Sequence, residues 1–531
     1  MKLRMWTYDL AREQAPTLDH LRRLCDLSLE SGYNALGLYL EHRFAYPSTP
    51  WMHGKGCLTP ETVRVLQDEY PFLQIVPFMN LLGHFEGFIY TEEGRRFAES
   101  TFKGMQACPS MPEFQSLAAG LVDDVLSVFN SPIVHIGGDE TWQLGACPTC
   151  KERVSEYEKR PGVDGKAQIY GEHFGPLARR VVEAGRGPAV WGDMFVDHPT
   201  ALPMIPGDTL IFNWQYFQSS QVNSNVFRDA GFEVVYCPAL HTYNATWLHL
   251  PQSERNVREN ARDAVRDDAY GVCVTTWECG LFGNYETLFP AIRASGDILR
   301  SEEASAGAMG PVVDETIDYK DERHGDAFLK AYLREGENYE EWARLMGIEL
   351  QNAGGPFTFG GIRSGLKCRL LLYNNPFLAW LHHHKDLCGE PGQKAWAICE
   401  RASIFAPDAS ARGVTDFAKS AIEFVQHAER AHQAYARREP GAAVAALTPC
   451  RQILENLHKI ALSNTLRVGG SLADQERCVI AKHHVERVMS RIKQYGDGSL
   501  GYLPSFETIT HPNFVPHDQA AWWMINGWAR E

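Results

Sequence analysis

Asp139 and Glu140 stand side by side directly after the run Pro132-Ile133-Val134-His135-Ile136-Gly137-Gly138. The apolar stretch reads as a short buried strand, and two glycines let the backbone bend sharply where it ends. Neighbouring carboxylates repel, so one holds its proton longer than the other. A protonated and an ionised carboxyl group in one place is what cleavage of a glycosidic bond requires. An Asp-Glu pair by itself is more often surface acidity or a helix cap. The Gly-Gly bend and the residues at other strand ends reverse that balance.

The elements that must position this pair follow from hydrophobic periodicity. Strand-like segments cover 3–8, 34–40, 74–79, 132–136, 188–191, 209–214, 232–236 and 270–277. Amphipathic helical segments lie between most of them, at 17–31, 60–70, 112–130, 166–184, 221–230, 253–268 and 285–300. Eight strands alternating with helices over about 300 residues predict an α/β fold of the (β/α)8 TIM-barrel type. A doubly wound open sheet is the second choice, weakened because no Gly-x-Gly-x-x-Gly follows the first strand.

A barrel carries its reactive groups in the loops after its strands. Those positions hold Asp9 and Arg12, Glu41, His84, Asp139 and Glu140, Trp191 and Asp193, Trp214 with Gln215 and Tyr216, Tyr236 with His241 and Tyr243, and Trp277 with Glu278. Indole faces stack on the C–H faces of a pyranose, and carboxylates or a guanidinium pair with its hydroxyls. Any one of these residues alone is better explained by packing or a surface ion pair. All eight loops contributing together point to a sugar.

At this point the chain resembles the family 20 glycoside hydrolases, the β-N-acetylhexosaminidases, on Asp9-Leu10-Ala11-Arg12, Gly83-His84, His135-Ile136-Gly137-Gly138-Asp139-Glu140, Trp191-Gly192-Asp193 and Trp277. The resemblance covers residues 1 to about 300. It is similar to a compact bacterial branch whose barrel begins at the N-terminus and is followed by a helical domain. The resemblance implies an exo-acting retaining hydrolase that releases terminal GlcNAc or GalNAc by substrate-assisted catalysis. The substrate's acetamido oxygen would form an oxazolinium ion. Glu140 would be the acid and then the base, and Asp139 would hold the acetamido N–H. By the same resemblance Arg12 would bind hydroxyls, and Trp191, Trp214 and Trp277 would wall the acetamido pocket. Tyr236 or Tyr243 would donate to the acetamido oxygen, and His84 would support the acid. Glu41 and Asp193 are further sugar-binding candidates.

The chain departs from the family pattern at Trp277-Glu278-Cys279, where the hydroxyl-binding glutamate comes one place early. Either Glu278 reaches the hydroxyl by another path, or Asn284 or Glu286 takes that part. Cys147-Pro148-Thr149-Cys150 is half of a zinc site, but no second Cys-x-x-Cys or His pair follows at fitting spacing. Loop packing is the expected reading, with no metal and no cofactor.

Near residue 301 the pattern changes to a polar stretch, then to mainly helical spacing at 324–349, 391–405, 413–436, 441–465 and 472–494. We expect a catalytic barrel over 1–305 and an α-helical C-terminal domain over 306–531. Segment 352–366 reads as a loop, and the residues from 495 as an irregular tail. An apolar stripe at Val414, Phe417, Ala421, Ile422, Phe424 and Val425 predicts packing on the barrel or another helix, or a homodimer face. The formal charge of −15 argues against a nucleic-acid partner. No apolar run reaches the length of a membrane span. The N-terminus lacks a signal-peptide core, and 13 scattered cysteines suit a reducing compartment, so the expected location is cytoplasmic. Two other readings share the fold: a catalytically silent sugar-binding barrel, and a barrel glycosidase with a separate carboxylate nucleophile.

Overall fold

Strand residues of the first 300 positions alternate strictly between two environments, and that alternation builds the fold. In the computed structural model, which describes residues 1–11, 14–54, 56–100, 105–240, 247–277, 284–305, 325–353, 376–469 and 472–498, eight strands lie parallel. They are β1 (Leu3–Asp9), β2 (Ala35–Tyr39), β3 (Gln74–Phe78), β4 (Ile133–His135), β5 (Gly187–Trp191), β6 (Leu210–Trp214), β7 (Val234–Cys237) and β8 (Gly271–Thr276). Each pairs with the next, and β1 pairs with β8 through Leu3 opposite Gly271 and Met5 opposite Cys273. The sheet is therefore a closed barrel, and the open-sheet alternative is excluded. A two-residue strand, Ala239–Leu240, extends the pairing along Thr275–Thr276.

Side chains at successive positions point to opposite faces of a strand. Leu3, Met5, Ala35, Tyr39, Val76, Phe78, Ile133, Ala189, Trp191, Phe212, Val235 and Cys273 fill the lumen. Trp6, Tyr8, Leu36, Leu38, Ile75, Val134, Val190, Ile211, Val234, Tyr236 and Val272 join the core between barrel and helices.

The helices answer that outer layer. Thr17 caps Leu18–Glu30 by accepting from the His20 N–H, and the helix buries Leu21, Leu24, Cys25, Leu27 and Ser28. Asp164 caps Gly165–Glu183 through the N–H groups of Lys166 and Ala167. Among the described residues, the longer helices not foreseen are Pro148–Glu158, which begins at the Cys-x-x-Cys, and Pro376–Leu387.

The helical spacing over 324–349 resolves into Asp326–Glu335 and Glu337–Arg344, broken at Gly336, whose φ is +140°. Long helices then cover Gly389–Phe405, Ala409–Ala436, Pro440–Val468 and Leu472–Gly496. Most of the loop expected at 352–366, and the tail beyond 498, lie outside the described residues. The apolar stripe of 413–436 is buried within the chain, where its helix packs on Pro440–Val468. This stripe therefore presents no face to a second copy. No helix among the described residues is long and apolar enough to cross a membrane.

Candidate active site

The C-terminal ends of the strands carry backbone that most side chains avoid. Glu41, His84 and Glu140 all have left-handed φ, at +37°, +47° and +49°, and only two other non-glycine residues share that among the described residues. Such conformations cost about 1–3 kcal/mol each and persist where the surroundings impose them. Three of them follow β2, β3 and β4, side by side around the barrel mouth. The glycines of the motifs make the approach possible. Gly137 and Gly138 have φ of +81° and +110°, and a Cβ on Gly83 would lie 2.3 Å from the carbonyl oxygen of Asp139. The loop after β3 therefore fits directly against the turn that carries the acidic pair. Tyr170, from the helix behind, donates from its hydroxyl to the Gly138 carbonyl at 2.7 Å.

His84 organises the carboxylates. Its Nε2 is 3.4 Å from Oδ2 of Asp139 and 3.2 Å from Oε2 of Glu140, and its Nδ1 is 4.0 Å from Oε1 of Glu86. Burial acts to lower the pKa of this imidazole, but Tyr39, Asp139 and Glu140 hold it well above the ordinary histidine value. Asp193 accepts the Glu140 backbone N–H at 2.9 Å and the Trp214 indole N–H at 3.3 Å. Burial, with the negative charge of Asp139, pushes the Asp193 carboxyl well above the usual carboxylate range. An imidazole with a raised pKa and a carboxyl with a raised pKa thus flank the acidic pair.

The aromatic wall is assembled from four strands. Trp191 and Trp277 pack with centroids 6.0 Å apart, and Tyr39 meets Trp277 edge-on at 4.8 Å. Trp214 stacks on Tyr216 at 5.1 Å, and the Trp277 indole donates to the Tyr216 hydroxyl at 2.8 Å. Asn80 donates to Tyr39 and reaches Oε1 of Glu41 at 3.4 Å. Sequence reasoning gave no role to Tyr39, Asn80 or Glu86, and placed Tyr216 at the end of β6 without a partner.

The structure therefore brings together Glu41, His84, Asp139, Glu140, Trp191, Asp193, Trp214 and Trp277. Arg12, Tyr243 and Glu278 lie outside the described residues. Tyr236 is a correction. It sits between the lumen residues Val235 and Cys237, so strand alternation turns it outward. Its hydroxyl donates to Asp267 at 2.7 Å and meets Ser224 at 3.0 Å. Asn284 and Glu286 are corrections as well. Asn284 accepts from Asn464 at 3.1 Å, and Glu286 is held by Arg23, Arg467 and Ser410. Both residues join the barrel to the C-terminal helices rather than reaching the sugar.

Two groups of side chains could hold a metal ion. Glu41, His84 and Glu86 offer atoms within 4.8 Å of one another, as do Glu99, Cys108, Cys147 and Cys150. The first is the charge network just described, in which the cationic imidazole lies among carboxylates. The second lies outside the mouth, and it corrects the expectation that Cys147 and Cys150 lack partners: these come from earlier in the chain.

Comparison with known proteins agrees with the geometry. Residues 86–305 match the family model described as the glycosyl hydrolase family 20 catalytic domain. A β-hexosaminidase of Akkermansia muciniphila is 26% identical over 151 residues, which are 27% of this chain and 27% of that protein. The chain thus matches about a quarter of the length of that curated relative. Similar solved structures include a β-N-acetylhexosaminidase from Bacteroides fragilis (17% identity, 56% of this chain and 65% of that one, TM-score 0.44). Others are an exo-β-N-acetylglucosaminidase from Vibrio harveyi (17%, 63% and 57%, 0.46) and a chitobiase from Flavobacterium johnsoniae (13%, 85% and 75%, 0.47). The matched segment 86–305 carries Asp139, Glu140, Trp191, Asp193, Trp214 and Trp277, and glycosyl hydrolase family 20 is the family that this part of the chain resembles.

Proposed function

We propose that this chain is a retaining β-N-acetylhexosaminidase that removes a terminal N-acetylhexosamine, with the substrate's own acetamido oxygen as nucleophile. One observation carries the reading. Asp139 and Glu140 are adjacent at the barrel mouth and share Nε2 of His84, while among the described residues Glu41 and Asp193 have other partners. Glu41 is 4% exposed and faces Asn80 and His42. Asp193 accepts two N–H bonds and leans towards its neutral form. Neither suits attack on an anomeric carbon.

In this mechanism Glu140 protonates the glycosidic oxygen, and the acetamido oxygen closes on the anomeric carbon to give an oxazolinium ion. Glu140 then takes a proton from the water that opens it. Asp139 accepts the acetamido N–H and stabilises the positive charge that develops there. The nucleophile is already attached to the substrate, which is worth roughly 7–11 kcal/mol when well oriented. Trp191, Trp214 and Trp277 support that orientation by enclosing the N-acetyl group. Trp142, 57% exposed and two residues beyond Glu140, offers a ring to the leaving sugar.

A thiazoline analogue of N-acetylglucosamine copies the bicyclic intermediate, so it should inhibit far more tightly than substrate binds. Asp139→Asn should weaken that inhibitor and slow turnover together. Undiminished inhibition in the variant would remove Asp139 from this role.

A further inference from the structure

The Cys-x-x-Cys after the acidic pair finds its other half in the preceding loop. Sγ of Cys108 lies 3.5 Å from Sγ of Cys147 and 3.6 Å from Sγ of Cys150, and Oε2 of Glu99 lies 3.3 Å from Sγ of Cys150. All four donor atoms fall within 4.8 Å of one another. A tetrahedral zinc ion with Zn–S bonds of about 2.3 Å sets its sulfurs about 3.8 Å apart, with a carboxylate oxygen slightly nearer. The observed spacings are close to that figure. A disulfide would need about 2.0 Å between sulfurs, and it would strand the third thiol beside a carboxylate that is 2% exposed.

We propose that Glu99, Cys108, Cys147 and Cys150 bind one structural zinc ion that staples the loop after β3 to the loop after β4. Three soft sulfur ligands and one carboxylate select zinc over harder divalent ions. Four protein ligands leave no open position, which is the pattern of a structural rather than a catalytic site.

A helix terminus and backbone donors surround two of the sulfurs. Cys147 is the N-cap of Pro148–Glu158, so Cys147 and Cys150 sit at the positive end of a helix. The Cys150 backbone N–H donates to Sγ of Cys147 at 3.3 Å, and the Cys147 N–H donates to Oε1 of Glu99 at 3.0 Å. Ser110 Oγ lies 3.0 Å from Sγ of Cys150 and accepts from Arg153 at 2.7 Å. These contacts orient the ligands and bring a cation next to an anionic centre.

The position gives the ion its purpose. Beside Glu99 and Cys108, the Phe85 N–H donates to the Met105 carbonyl at 2.7 Å and the Gln143 N–H to Oε1 of Gln106 at 3.0 Å. One ion therefore fixes residues that bond both to Phe85, next to His84, and to Gln143, three residues beyond Glu140. The proposal does not depend on the glycosidase reading.

The test begins with the full chain, purified from zinc-supplemented cells and dialysed against metal-free buffer. Elemental analysis should find close to one zinc per chain. A thiol-blocking mercurial should release it as three thiols react, and cobalt loading should give a thiolate-to-metal charge-transfer band. Cys108→Ser with Cys150→Ser should lose the metal and melt at lower temperature, while Cys57→Ser, outside the set, should keep it. Zinc below about a tenth of an equivalent in the unmutated chain, or full retention in the double variant, would overturn the proposal. A disulfide among these three cysteines by peptide mass would make the cluster a redox pair and also overturn it. Should the double variant fail to fold, the stoichiometry and cobalt spectrum of the unmutated chain still decide. Zinc-replete protein without glycosidase activity would refute the catalytic reading and leave the zinc site standing.

Discussion

Each residue at the mouth has one job that a single substitution can isolate. Glu140 is the proposed proton donor, so Glu140→Gln should fold normally and lose roughly 10²–10⁴ in turnover on a sugar with a poor leaving group. The loss in the first step should shrink with an activated phenolic leaving group, which needs little protonation. Equal losses on both substrates would point to a positioning role instead. Tyr236 supplies the converse case. Its hydroxyl is bound to Asp267 and Ser224 behind the barrel wall, so Tyr236→Phe should cost about 1 kcal/mol of stability and leave turnover unchanged. A fall in turnover with unchanged thermal stability would put Tyr236 back at the substrate.

Loops after β2, β3 and β4 act as one element, because left-handed Glu41, His84 and Glu140 and the imidazole among their carboxylates connect them. Since the pKa of His84 is raised in the folded chain, its contribution to stability is complete below the ordinary value of 6.5 and is lost as pH rises through the folded value. Melting temperatures measured from neutral into alkaline pH should therefore fall more in the unmutated chain than in His84→Gln. Parallel curves would show that the imidazole carries no such coupling.

This scale also shows what was legible. The strands, and most helices to within a few residues, follow from period-2 and period-3.6 patterns, and the strand ends located the acidic pair and three tryptophans. Tyr236 went wrong because a strand-terminal position was weighed without its neighbours Val235 and Cys237, which claim the lumen. Cys108 and Glu99 were invisible as partners of Cys147 and Cys150. They lie 39 and 48 residues away, and only the packing of two irregular loops brings them close. Asn284 and Glu286 were misread for a similar reason, since their partners Asn464 and Arg467 come from a helix about 180 residues later.

Across the whole molecule, the helical half holds the barrel from the side of the turn that follows β8. Arg467 and Arg23 keep the Glu286 carboxyl below the usual range against the opposing effect of burial. Trp342 is fully buried, packs on Trp247 at 4.5 Å and donates to Thr415 at 2.9 Å. Trp342→Ala should cost about 3–5 kcal/mol, and calorimetry should show whether barrel and helices still melt together. If they do, the two halves are one cooperative unit. The central claim, that the substrate's acetamido group performs the attack, is tested most directly by comparing kcat/KM for a chromogenic β-N-acetylglucosaminide and the matching β-glucoside. The account predicts that the glucoside is slower by at least about 10³-fold, because it lacks the tethered nucleophile. Comparable rates on the two sugars would contradict it and require a carboxylate nucleophile in the barrel mouth.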